Sequence, residues 1–147
     1  MNKSNFKHFH HDHVRWGDCD QLGHVNNTKY LQYIESGRLD YFFTVLGIEL
    51  RPDSAEGFVM LDLKCQFKKQ VHYPSNLEIA TRISRVGNSS AMVEAAVFIA
   101  GEENPVFTSS CTSVWCDYEK GVSTRLPDAL RKLIQDHEGE IEGLSAA

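Results

Sequence analysis

Between Arg15 and Asn27 the chain gathers two aspartates, a cysteine, a histidine and two asparagines in one glycine-punctuated stretch, Gly17-Asp18-Cys19-Asp20-Gln21-Leu22-Gly23-His24-Val25-Asn26-Asn27. A carboxylate beside the free N–H groups of a helix N-terminus supplies what acyl transfer needs. The carboxylate brings water to a carbonyl, or attacks it directly to form a mixed anhydride, and the N–H donors and helix dipole stabilise the oxyanion. A thioester suits such a site, because its carbonyl is electrophilic and its thiolate leaves readily, so neither a metal nor an organic cofactor is required. Each residue also has a plainer reading. Asp18 and Asp20 can close turns, His24 can bond the loop rather than a substrate, Cys19 need not be a nucleophile, and Asn26 or Asn27 can cap the following helix.

That helix is expected from about Asn27 to Leu46. Tyr30, Leu31, Tyr33, Ile34, Leu39, Tyr41, Phe42, Phe43, Val45 and Leu46 recur largely at helical spacing. Gly47 stands where a C-terminal stop belongs. The apolar residues of the second half point several ways, as in a helix wrapped by sheet. Gly37 interrupts good helix formers at a cost of about 1 kcal/mol, which predicts close approach of the backbone there to a neighbour. Glu35 and Arg38 are spaced to pair on the helix surface.

After Pro52 the period changes from helical to alternating. Val59, Leu61, Leu63, Cys65, Phe67 and Val71 alternate with polar or flexible residues and predict a long half-buried strand. Further strands are expected at Leu77–Ser84, Ala91–Ala100 and Val106–Tyr118, separated by turns at Tyr73–Asn76, Gly87–Ser90 and Gly101–Pro105, and Pro127 opens a short last helix. Short turns imply antiparallel pairing. The reading is an α+β fold: one strand, one long helix, and a four-strand meander curled around that helix.

At 147 residues, with no repeat or composition shift, the chain is read as a single domain over residues 1–147. It has no apolar run long enough to span a bilayer and no signal peptide, so a soluble cytoplasmic protein is expected. The net charge of −5 gives no electrostatic case for nucleic acid. Cys19, Cys65, Cys111 and Cys116 lack a disulfide or zinc pattern and are read as free thiols. His8, His10, His11 and His13 alternate along the first strand and are expected to be solvated rather than to bind a metal.

Gly17-Asp18-Cys19-Asp20, Gly23-His24-Val25-Asn26-Asn27, Tyr30, Tyr33, Glu35 and Arg38 together closely resemble the start of hotdog-fold acyl-CoA thioesterases of the 4-hydroxybenzoyl-CoA thioesterase-like family. The resemblance is close over the loop and the first half of the helix, and elsewhere holds only at the level of strand order. It implies a hotdog fold, with Asp20 as the catalytic carboxylate. The oxyanion donors fall around Val25, Asn26 and Asn27, foremost the Asn27 N–H, with His24 beside them. The hydroxybenzoyl enzyme carries large aromatics just before its helix where this chain has asparagines, so its aromatic substrate is not carried over.

The resemblance further implies an acyl-CoA substrate, coenzyme A entering as part of the substrate rather than as a cofactor, and a homodimer or dimer of dimers with each site between subunits. The turn Gly87-Asn88-Ser89-Ser90 resembles the family turn near the pantetheine and phosphate arm, and is equally an ordinary hairpin turn. Lys64, with Lys68 and Lys69, reads as a solvated sheet face or as a dock for the anionic tail. Two other classes stay open: a hydratase or dehydratase using a histidine with a carboxylate, and a non-catalytic acyl-CoA or acyl-carrier binding module.

Overall fold

The computed structural model describes residues 1–144; the last three residues of the expected domain lie outside the described residues. The elements are β1 (His8–His13), α1 (Asn27–Thr44), β2 (Glu56–Phe67), β3 (Asn76–Val86), β4 (Ser90–Ile99), β5 (Phe107–Asp117), β6 (Val122–Ser123) and α2 (Asp128–Glu138). The strands form one antiparallel sheet in the order β1-β3-β4-β5-β2, with the short β6 paired to β5. The sheet curls, and α1 lies against it over β1, β3 and β4. This is the hotdog arrangement.

Helix α1 begins and ends where its residues require. The Asn26 side chain accepts from the Thr28 N–H at 3.0 Å. At the other end Gly47 adopts a φ of +66°, and the Ile48 N–H turns back to the Phe42 carbonyl at 2.8 Å. Gly37 lies close against the sheet: a Cβ there would stand 2.6 Å from Ile79 Cγ2 on β3.

The core divides along the helix. Its first half buries Tyr30, Tyr33 and Ile34 against Leu77, Ile79, Val97 and Phe107. Its second half, with Leu46 just past its end, buries Tyr41 and Phe42 against Ile83, Val93 and Trp115, with Leu130 and Ile134 of α2 closing that end. On the other face of the sheet the N-terminal segment lays Phe6 over Ala80, Ala96 and Phe98.

Three expectations need correction. The strands after α1 do not form a four-strand meander: only β3-β4-β5 does, and β2 lies at the far edge against β5. The connection 68–75 is the reason. Its Val71 is buried and gives its carbonyl to the Val25 N–H at 2.8 Å. The chain is thereby pinned beneath the start of α1 before β3 begins.

Along β2 the expected burial holds only in part. Leu63 and Cys65 pack on the core, but Val59, Leu61 and Phe67 are exposed. A bulge between Met60 and Asp62 inverts the alternation, so that Phe58 rather than Val59 reaches Phe42 and Trp115. At that bulge the Thr112 N–H donates to the Asp62 carboxylate at 2.9 Å.

The first-strand histidines are not all solvated. His8 is buried, its Nε2 2.7 Å from Asp40 Oδ2 of α1, and its ring packs edge-on against Tyr41. Among the described residues, no group of three His, Cys, Asp or Glu side chains is spaced to hold a metal ion.

Candidate active site

Residues 15–27 fold into a tight hairpin between β1 and α1. A 3-10 turn at Trp16–Asp18 is followed by Cys19, which pairs with Val25. Within that bridge the Asp20 N–H donates to the His24 carbonyl and the Gly23 N–H to the Asp20 carbonyl, each at 3.0 Å. Gly23 sits at a φ of +85°, a left-handed conformation that favours glycine. The Asn26 N–H then donates to the Asp18 carbonyl at 2.9 Å, which sets the hairpin at the head of the helix.

The two aspartates have separate environments. Asp18 is buried, and its Oδ2 accepts from the Tyr33 hydroxyl at 2.5 Å and from the Arg15 N–H at 2.9 Å. Burial opposes its ionisation. The two hydrogen bonds and the positive charges of Lys29 and Arg15 outweigh burial, and the carboxyl lies below its ordinary range. The same pair raises the Tyr33 hydroxyl: burial first, then the bond to Asp18 and its charge. Asp18 therefore closes the loop.

Asp20 is 31 % exposed. One of its oxygens, Oδ1, accepts from the Leu22 N–H at 2.9 Å and lies 3.9 Å from His24 Nδ1. Among the described residues the other oxygen has no donor. Asp20 lines an open cavity of about 650 Å³ whose wall includes Trp16, Gly23 and Tyr73.

At the start of α1, the Thr28 N–H is taken by the Asn26 side chain and the Lys29 N–H by the Asn26 carbonyl. The Asn27 N–H is left without an acceptor among the described residues. Asn27, His24 and Val25 border a second cavity of about 330 Å³, together with Tyr30, Phe67 and Lys68. The hairpin thus brings Asp20 and His24 together, and His24 and Asn27 together. Asp20 and Asn27 open onto neighbouring cavities.

The remaining sequence candidates stand elsewhere. Lys64 lies opposite Ser110 on β5, in the row that continues through Glu94 and Arg82 on the face away from α1. It borders a shallow hollow of about 130 Å³ with Gln66 and Thr108. The turn of Gly87, Asn88, Ser89 and Ser90 follows the end of β3 opposite to Asn76. Asn76 pairs with His13 beside the hairpin, and β3's 11 residues span roughly 35 Å. Arg131 of α2 holds that turn, its guanidinium donating to the Gly87 carbonyl at 2.6 Å and the Asn88 carbonyl at 2.8 Å. Glu35 is exposed on α1, 3.9 Å from Arg38. It lies on the solvent side of the helix.

The structure also brings in residues that sequence reasoning passed over. The His72 ring faces the Gly23 carbonyl, Nδ1 to oxygen 3.1 Å, and stands edge-on to the His24 ring. Tyr73 and Trp16 flank Asp20, and Phe67 packs edge-on to Tyr30 beside Asn27.

The profile of the Thioesterase-like superfamily matches residues 14–134. The chain belongs to that family. It is 29% identical over 120 residues to the acyl-acyl carrier protein thioesterase ATL2, chloroplastic, of Arabidopsis thaliana. That match covers 80% of this chain and 63% of the relative, so the chain spans less than two thirds of the relative's length. Among solved structures, the PA2801 protein from Pseudomonas aeruginosa, a putative thioesterase, is 37% identical with a TM-score of 0.80, over 86% of this chain and 97% of that one. A thioesterase from Thermus thermophilus, complexed with coenzyme A and Zn, is 28% identical with a TM-score of 0.78, over 92% and 97% of the two chains.

Proposed function

We propose that this protein hydrolyses acyl thioesters, with an acyl-CoA as substrate. The observation that carries the reading is the division of labour within one hairpin. Asp18 is consumed by structure, while Asp20 keeps a carboxylate oxygen without a donor beside a cavity and the next helix offers an unclaimed N–H at Asn27. Asp20 takes a proton from water as it adds to the thioester carbonyl, or adds itself to give an anhydride that water then opens. In either route the carbonyl oxygen gathers negative charge at the Asn27 N–H, the C–S bond breaks, and the thiolate leaves and is protonated. His24, between the two groups, is placed to hydrogen-bond the carbonyl or the water.

Coenzyme A as carrier is supported by the Thermus structure's bound coenzyme A, and the Arabidopsis relative's name makes an acyl-carrier protein the other carrier to test. The hydratase reading loses support from Glu35, which faces solvent beside Arg38 and not His24. We also propose that the working unit is at least a homodimer. The Gly87–Ser90 turn is too far along β3 to meet a substrate held by Asp20 of its own chain, so only a second chain could bring it there. Thiol release measured across a panel of acyl-CoAs and acyl-carrier thioesters tests the reading. Hydrolysis of at least one class is expected, and binding without release would move the protein to the acyl-binding class.

A further inference from the structure

The cavity lined by Asp20 and the cavity bordered by Asn27 differ in chemistry, and that difference orients the substrate. The cavity above Asp20 is walled by exposed aromatics: Trp16 is 78 % and Tyr73 49 % exposed. Among the described residues, no lysine, arginine or histidine borders it. Large apolar side chains grouped at this exposure beside a functional group mark a surface meant to be covered. The cavity at Asn27 is bordered by Lys68, Lys69 and His24. Lys68 has no carboxylate partner among the described residues, and Lys69 has only an exposed one, Glu102 at 3.3 Å.

Building on the hydrolase reading, we propose that the acyl group lies in the Asp20 cavity between Trp16 and Tyr73, and that the phosphate-bearing arm of the carrier leaves across Lys68 and Lys69. The reasons are electrostatic and hydrophobic at once. Coenzyme A carries its negative charge at the far end of the pantetheine arm, so that arm is favoured toward the lysines and disfavoured past the Asp20 carboxylate. The acyl group needs apolar cover, which Trp16 and Tyr73 supply. Their rings set the substrate class as medium-length or ring-bearing acyl groups in preference to acetyl, because each methylene or ring edge laid against them adds to binding. Trp16 and Tyr73 are then specificity-determining residues, and Lys68 and Lys69 are carrier-binding residues.

Acetyl, hexanoyl and benzoyl thioesters, each on coenzyme A and on N-acetylcysteamine, separate the two arms. In the wild type, hexanoyl or benzoyl should exceed acetyl in kcat/KM. Trp16→Ala should reduce that preference about tenfold on both carriers, the scale of a methylene-sized loss in an apolar site. The double variant Lys68→Ala, Lys69→Ala should instead reduce the preference for coenzyme A over N-acetylcysteamine about tenfold, through KM. The proposal is overturned if Trp16→Ala leaves acyl preference unchanged while Phe67→Ala abolishes it, which is the opposite orientation.

A binding readout separates this proposal from the hydrolase reading. In an Asp20→Asn background, hexanoyl-CoA should change the emission of Trp16 and free coenzyme A should not, with Trp16→Phe as the control for Trp115. That result would uphold the acyl cavity even in a protein that turned nothing over. Equal responses to hexanoyl-CoA and coenzyme A would overturn it even in an active enzyme.

Discussion

The Tyr33 hydroxyl and the Asp18 carboxylate meet at 2.5 Å beneath the hairpin, fixing the loop to the first half of α1. This bond separates two aspartates that the sequence sets only two residues apart. Asp18→Asn or Tyr33→Phe should cost about 1.5–3 kcal/mol of stability, the range for a hydrogen bond to a charged group. The pH dependence follows from Asp18's lowered folded pKa. Its contribution is fully present above the unfolded value of about 4 and is lost as pH falls through the lower folded value. Thermal melts from pH 7 to pH 3 should show a shallower acid decline in Asp18→Asn than in wild type. Parallel declines would assign the acid sensitivity to other groups.

His72 and Val71 hold the hairpin from below, through the Gly23 carbonyl at 3.1 Å and the Val25 N–H at 2.8 Å. His72→Ala removes the side-chain donor, and His72→Asn can keep one at the position of Nδ1. The alanine variant should lose roughly ten- to hundredfold in kcat with KM little changed, as expected when a catalytic group is displaced, and the asparagine variant should recover most of it. Amide exchange of residues 20–25 should rise in His72→Ala alone. Unchanged exchange and unchanged kcat would show that His72 does not position the hairpin.

Gly37→Ala sets helix propensity against packing. The alanine favours an isolated helix by about 1 kcal/mol. Its Cβ, however, would meet Ile79 Cγ2 at 2.6 Å and Ile79 Cβ at 3.2 Å, and a β-branched side chain in a strand cannot swing away cheaply. Overpacking typically costs about 1–3 kcal/mol, so a lowered Tm is expected, with partial recovery in Gly37→Ala, Ile79→Ala. A raised Tm would mean that α1 and β3 separate easily.

Strand β2 leaves Val59, Met60 and Leu61 exposed on an unpaired edge, a surface that invites pairing. Sedimentation at micromolar concentration should show a dimer or larger species, and Leu61→Asp should shift it toward monomer. A wild-type monomer would contradict the proposed assembly.

Much of the architecture was legible because it is local. The α1 boundaries follow from Asn26 and Gly47, and the β3-β4-β5 hairpins from their turns. The packing role of Gly37 follows from its place among helix formers. The placement of β2 was not legible, because its partner β5 is distant in sequence and its bulge inverts the alternation that the reading relied on. At the candidate site, Asp20, His24 and Asn27 were visible as one short stretch, while their division between two cavities was not. His72, Tyr73 and Trp16 were not, since single aromatic residues in loops carry no periodic signal and only the fold brings residues 72–73 back to the hairpin. The burial of His8 was equally hidden, for Asp40 faces it from the middle of another element.

The central claim is that Asp20 performs the chemistry, and its most direct test is steady-state thiol release by Asp20→Asn on the best acyl thioester of the wild type. The substitution keeps size and an acceptor for the Leu22 N–H while removing base and nucleophile. The predicted result is a fall in kcat of about 10²–10⁴ with substrate binding and thermal stability retained. Near wild-type turnover in Asp20→Asn, with activity lost instead in Glu35→Gln or Cys19→Ser, would contradict it.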